Sequence, residues 1–216
     1  NNLVNWSAMS TIKRKAALKV IVLGDSSVGK SCIIRQYVFK KFSDKYKSTI
    51  GADFFTHDVV IDDVPYTLQI WDTAGQERFQ SLGSSFYRGT DACILAFDLT
   101  NIRSFKSLEK WQDDFLVAAS PSDPLNFPFV IVGNKVDLAD TERKVTKETV
   151  EEWSTSRRVT GMHYYETSAK DNIGIEEAFL DVLKQAISQK SEEEEYVPDV
   201  IDLKDVKPAK TEKCNC

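Results

Sequence analysis

The chain has 216 residues, room for one ordinary domain with tails, and its composition, 42% hydrophobic and 28% charged, is that of a folded globular protein. A net charge of −5 argues against a general nucleic-acid binder. The longest apolar run, residues 92–97, falls far short of the roughly 18 residues a transmembrane helix needs. Four cysteines make no disulfide framework: Cys32 and Cys93 sit in apolar surroundings and read as core thiols, while Cys214 and Cys216 close the chain. A reducing compartment is the natural reading.

Met9 reads as the natural start, with residues 1–8 as added or upstream sequence and residues 1–16 as an extension outside the fold. Lys13-Arg14-Lys15 before an apolar run superficially resembles a secretory signal, but Lys19 interrupts that run. The first predicted strand is 18–23. A helical pattern covers 31–39, and a polar segment follows to Gly51. Residues 53–61 and 66–71 flank the turn Asp62-Asp63-Val64-Pro65 and are expected to form an antiparallel hairpin. In the second of these, Tyr66, Leu68 and Ile70 alternate with Thr67 and Gln69. Trp71 has the parity of the polar face, so it is expected at a protected edge or against a partner.

Residues 92–97 and 129–132 are continuous apolar runs, as buried parallel strands are. Helices are predicted over 104–119, 146–157 and 174–189. In the last, Ile175, Ala178, Phe179, Val182, Leu183, Ala186 and Ile187 form one apolar stripe for core packing. Strands alternating with helices imply a doubly wound α/β sheet with ligands at the strand C-termini. The domain is expected to span 17–190. Beyond it, residues 191–216 hold eight acidic side chains against four lysines and few large apolar residues, the composition of a disordered tail.

Between the first strand and the first helix stands Gly24-Asp25-Ser26-Ser27-Val28-Gly29-Lys30-Ser31, a match to G-x-x-x-x-G-K-[ST]. Backbone N–H groups of such a loop and of the following helix point into one concavity and favour phosphate. Lys30 would reach the terminal phosphates and the Ser31 hydroxyl would ligate Mg²⁺. Thr49 could supply a second hydroxyl. Asp72-Thr73-Ala74-Gly75-Gln76 ends the strand after Trp71. Asp72 could hold the Mg²⁺ hydration shell, Gly75 could bring its N–H to a γ-phosphate, and Gln76 could orient an attacking water. Asn134-Lys135-Val136-Asp137 follows the strand at 129–132. Asp137 could accept two N–H bonds from guanine, which adenine cannot donate. Ser168-Ala169-Lys170 is a second loop able to meet the base. Each motif alone is a common coincidence, but four in order are not.

On these motifs the chain resembles the Ras-superfamily small GTPases, Rab branch, over roughly 18–189. Ile50-Gly51-Ala52-Asp53-Phe54, Trp71 to Phe79 and Phe86-Tyr87-Arg88-Gly89 resemble Rab-specific stretches. Gln80-Ser81-Leu82-Gly83 and the segments 119–124 and 126–129 look most like the late-endosome/lysosome Rab group. The resemblance implies a P-loop G domain: a mostly parallel six-stranded sheet flanked by helices, binding GTP or GDP with Mg²⁺. It implies switch I at 40–53 and switch II at 72–87. Nucleotide contacts fall on Asp25, Ser26, Ser27, Val28, Gly29, Lys30, Ser31, Cys32, Phe42, Tyr46, Thr49, Gly75, Asn134, Lys135, Asp137, Ser168, Ala169 and Lys170. Phe42 would pack on guanine and Tyr46 would cover the phosphates. Lys30 and Gln76 would be catalytic, and Phe54, Trp71 and Phe86 would meet effectors. Cys214-Asn215-Cys216 resembles the doubly prenylated C-x-C ending. Implied partners are an exchange factor, a GTPase-activating protein, a GDP-dissociation inhibitor, an escort protein and effectors, around a monomer on the cytoplasmic face of late endosome, lysosome or phagosome membranes with a cytosolic pool. Two positions depart from the group. Thr90 replaces a usual alanine. Ser27 stands where glycine is usual, and serine is strained there if the position needs positive φ.

Two other readings compete. A metabolic P-loop kinase or ATPase leaves Asn134 to Asp137 and the cysteine ending unexplained. A nucleotide-binding switch module with little intrinsic hydrolysis would follow if Ser27 disables turnover.

Overall fold

The computed structural model describes residues 16–43, 48–75 and 86–195. Six strands form one sheet in the order β2-β3-β1-β4-β5-β6. They are β1 (Ala16–Leu23), β2 (Ala52–Ile61), β3 (Val64–Thr73), β4 (Ala92–Asp98), β5 (Phe129–Asn134) and β6 (His163–Thr167). Only the β2–β3 pair is antiparallel. The doubly wound, mostly parallel six-stranded sheet expected from the sequence is the one observed.

The helices are α1 (Lys30–Phe39), α2 (Ile102–Lys106), α3 (Leu108–Ala119), α4 (Ala139–Glu142), α5 (Lys147–Ser156) and α6 (Ile175–Glu195). Period-2 alternation in β1 divides the core between the two sheet faces. Leu18, Val20 and Val22 face α1 and the apolar stripe of α6; Ile21 and Leu23 face α3 and α5 with Phe97, Phe115 and Phe129. Burying each of these large side chains stabilises the fold by about 1.5–3 kcal/mol. β4 is buried at every position, which is why its sequence shows no alternation.

Five local features differ from the sequence reading. The helix expected over 104–119 is two segments that meet at Ser107, whose hydroxyl donates back to the Arg103 carbonyl at 3.0 Å in competition with the helical backbone bonds. The sixth strand, β6, has no apolar run to announce it; it lies at the sheet edge and its first four residues stay partly exposed. The last helix runs past its apolar stripe to Glu195. Cys93 is fully buried as expected, but Cys32 is only half-buried. The hairpin turn is tighter than the four-residue span suggests: Ile61 pairs with Val64, leaving Asp62 and Asp63, both at positive φ, as a two-residue loop. Pro65 is tolerated in β3 because the ladder with β1 begins one residue later, at Tyr66.

The register aligns the strand C-termini along one rim. Val22 lies opposite Asp72 on one side and Ile94 on the other; Asp98 lies opposite Asn134, and Asn134 opposite Thr167. The loop after β1 opens onto this rim where the strand order reverses.

Candidate functional site

The loop from Gly24 to Lys30 connects β1 to α1. Gly29 sits at φ 101°, and a Cβ there would lie 2.3 Å from the Asn134 amide nitrogen, so no side chain fits. Ser27 also adopts a positive φ of 65°. The condition under which serine is strained at this position is therefore met. Lys30 is buried and its Nζ donates to the carbonyls of Gly24 (2.7 Å) and Asp25 (2.9 Å), which clamps the loop from inside.

At the N-terminus of α1 the Ser31 hydroxyl lies 2.9 Å from the Thr49 hydroxyl, and Thr49 donates to Asp72 Oδ2 at 3.3 Å. The sequence separates these three residues widely; the fold brings them together. Asp72 is 1% exposed and its Oδ1 has no hydrogen-bond partner. Burial raises its pKa, while hydrogen bonds from Ser31 and Thr49 and the charge of Lys30 act in the opposite direction. One orphaned carboxylate oxygen beside two hydroxyls is an oxygen-only donor set, the chemistry that suits Mg²⁺ and leaves room for phosphate and water. No cluster of three His, Cys, Asp or Glu side chains that could hold a metal exists among the described residues. Gly75 presses on the phosphate loop: a Cβ on it would be 2.3 Å from the Ser26 nitrogen.

The second half of the site is built on β5 and β6. Asn134 is 2% exposed; its amide donates to the Val28 carbonyl at 2.8 Å and accepts from the Thr167 hydroxyl and the Ala169 N–H. It staples the phosphate loop to the loop after β6. Lys135 takes a positive φ of 70° and pairs with Asp98 at 2.6 Å. Asp137 accepts from the Ser168 hydroxyl at 2.7 Å, which holds one carboxylate oxygen in a set direction. Ala169 is buried; Ser26, Phe42 and Lys170 are exposed. Tyr46, Gln76, Cys214 and Cys216 lie outside the described residues.

Asp98 was not visible to sequence reasoning. It ends β4, a position that topology makes part of the rim, and it orients Lys135. Trp71, expected at a protected edge or against a partner, is half-buried. Phe54 packs edge-on against it at 5.2 Å, Phe86 lies tilted against it at 5.1 Å, and the Lys19 ammonium sits 5.2 Å from its ring. Phe54 itself is 48% exposed, so the aromatic cluster still shows an apolar face.

Comparison with known proteins agrees with this arrangement. The model of the Ras family matches residues 19–188. The GTP-binding protein yptV5 of Volvox carteri is 52% identical over 195 residues, covering 90% of this chain and 94% of that protein. The Ras-related protein Rab7 of Pisum sativum is 49% identical over 205 residues, covering 94% and 98%. The Ras-related protein RABG3e of Arabidopsis thaliana is 50% identical over the same length, covering 94% and 98%. The chain belongs to the Ras family of small GTPases, within its Rab branch.

Proposed function

We propose that this chain is a GTP-hydrolysing switch of vesicle and endosome traffic, acting between late endosome and lysosome. The observation that carries the reading is the convergence of Lys30, Ser31, Thr49 and Asp72 on one rim with Asn134, Asp137 and Ser168. A buried lysine whose charge acts on a buried carboxylate with one unpartnered oxygen is what a phosphate and metal site needs.

The chemistry is in-line attack of water on the γ-phosphate, giving GDP and inorganic phosphate. Lys30 and the loop N–H groups offset charge on the phosphate oxygens. The Gly75 N–H meets the γ-phosphate, and Gln76 orients the water. Ser31, Thr49 and Asp72 would hold Mg²⁺, which when bound supplies charge neutralisation between the β- and γ-phosphates. Asp137, steadied by Ser168, accepts the two guanine N–H groups. A site built around such bonds rejects a base lacking them by roughly 10⁴–10⁵. No arginine finger is evident in the sequence, so the protein is slow alone; a partner-supplied finger adds roughly 10³–10⁵.

As a Rab-branch protein it has partners of the general kinds that serve the cycle: exchange factor, GTPase-activating protein, GDP-dissociation inhibitor and effectors. The finer reading adds an escort protein and two lipids on Cys214 and Cys216, carried on the acidic tail 191–216 beyond a domain spanning 17–190. It places the protein on the cytoplasmic face of late endosome, lysosome or phagosome membranes with a cytosolic pool, as a monomer without nucleic-acid partners. No helix among the described residues is long and apolar enough to cross a membrane.

The left-handed Ser27 supports a second reading, a switch with little intrinsic hydrolysis. Single-turnover hydrolysis of bound GTP separates the two. The switch reading expects measurable hydrolysis in the parent and a large loss in Gln76→Leu with GTP affinity unchanged. A parent no faster than Gln76→Leu, with hydrolysis appearing only in Ser27→Gly, establishes the second.

A further inference from the structure

Asp25 is where three parts of the molecule meet. Its carboxylate Oδ1 accepts the indole N–H of Trp111 at 2.8 Å. Its carbonyl accepts the Lys30 ammonium at 2.9 Å. From the third side comes Gly75: a Cβ there would lie 2.4 Å from the Asp25 carbonyl carbon, 2.6 Å from its oxygen and 2.3 Å from the Ser26 nitrogen. The Asp25–Ser26 peptide is thus wedged between Lys30 and Gly75 while its side chain is pinned from behind by α3.

Trp111 is a firm anchor. It is 4% exposed and belongs to the core cluster of α3, α5 and β4. A buried indole N–H needs a partner, and here the partner is a charged acceptor in the phosphate loop. The helix that carries it is itself held from outside. Arg157 at the end of α5 donates to the Gln112 side chain at 2.7 Å and pairs with Glu109 at 2.6 Å and with Asp113. A ligand that moves Gly75 must therefore move a peptide tied to a rigid helix, or be accommodated without moving it.

We propose that Trp111 is a positioning residue: through Asp25 it holds the phosphate loop against Gly75 and so sets how strongly the site prefers the triphosphate over the diphosphate. The proposal rests on the reading that the Gly75 N–H meets the γ-phosphate. Trp111→Phe keeps the ring and removes only the donor. Asp25 is then free to swing, its peptide no longer fixes Gly75, and the contact that only a triphosphate makes is weakened.

The test uses the full chain loaded with Mg²⁺ and either GDP or a non-hydrolysable GTP analogue, with dissociation rates measured for both. Trp111→Phe should speed release of the analogue roughly tenfold, the loss expected for one hydrogen bond to a charged acceptor, and release of GDP less than about twofold. Asp25→Ala should do the same, and the double variant should add nothing further, because both remove one interaction. Phe115→Leu, which loosens the packing of α3 without touching Asp25, should lower the melting temperature and leave the ratio of the two rates alone. Equal acceleration of both nucleotides by Trp111→Phe, or additive effects in the double variant, overturns the proposal. Gly75→Ala is the arm that tests its foundation. If it shifts the ratio and Trp111→Phe does not, only the role of Trp111 falls. If Gly75→Ala leaves the ratio unchanged, the γ-phosphate reading falls and takes the proposal with it.

Discussion

Asp72 is an unstable residue in the isolated chain. Its carboxylate is buried with one oxygen unpartnered, and burial raises its pKa above the ordinary value of 3.8. For an acid with a raised folded pKa, the protonated form favours the fold. That advantage is present below the unfolded value and is lost as pH rises through the folded one. At pH 7 the ionised group is a penalty on the order of 1–2 kcal/mol, the scale of an unsatisfied buried polar atom. Asp72→Asn should therefore raise the unfolding temperature of the nucleotide-free protein at pH 7, with the difference closing as pH falls into the ordinary carboxylate range. The same change should abolish the dependence of nucleotide affinity on Mg²⁺. A variant that melts below its parent at pH 7, or keeps that Mg²⁺ dependence, would show that Asp72 is satisfied some other way. Ser31 and Thr49 share in this balance, since their hydroxyls hold the carboxylate in its charged form.

Between elements, turns and staples decide the geometry. The β2–β3 hairpin closes through Asp62 and Asp63, both in left-handed backbone where Asn-Gly is the favoured pair. Replacing them, Asp62→Asn with Asp63→Gly, should stabilise the protein by about 0.5–1 kcal/mol, read as a rise in the urea midpoint at unchanged slope. A lower midpoint would mean that the aspartate side chains, one of which approaches Lys184, hold the turn by their charge. How much of this was legible in the sequence depends on the range of the interaction. Apolar runs at 18–23, 92–97 and 129–132 name their strands because burial on both faces forces continuous hydrophobic character. β6 escaped because an edge strand needs no such run. The phosphate loop and Asp72 were legible because their chemistry demands particular residues at fixed spacing. Trp111 and Asp98 were not, because each acts through a partner 86 and 37 positions away in the chain, which only the sheet order brings near.

At the scale of the whole molecule, the sheet register does the assembling. It sets Asp72, Asp98, Asn134 and Thr167 on one rim, while at the other end of the strands Lys190 of α6 pairs with Asp91, just ahead of β4. The proposed division into a nucleotide-binding domain and an acidic tail predicts separable functions. Changing both Cys214 and Cys216 to serine should release the protein from membranes in a flotation assay and leave GTP binding intact. The tail holds too few lysines to bind an anionic leaflet, and one lipid chain gives only marginal anchoring, so each single variant should float weakly. A double variant that floats like its parent would remove the lipid anchor from the account.

Whether the rim formed by four separated motifs is a guanine-nucleotide site is decided by titrating GDP and ADP, each with Mg²⁺, into the parent and into Asp137→Asn. The parent should prefer GDP by roughly 10³-fold or more and the variant should lose most of this preference, because an amide presents a donor where the base also donates. Equal affinity of the parent for the two nucleotides, or an Asp137→Asn variant that binds GDP as tightly as its parent, would show that the rim is not such a site.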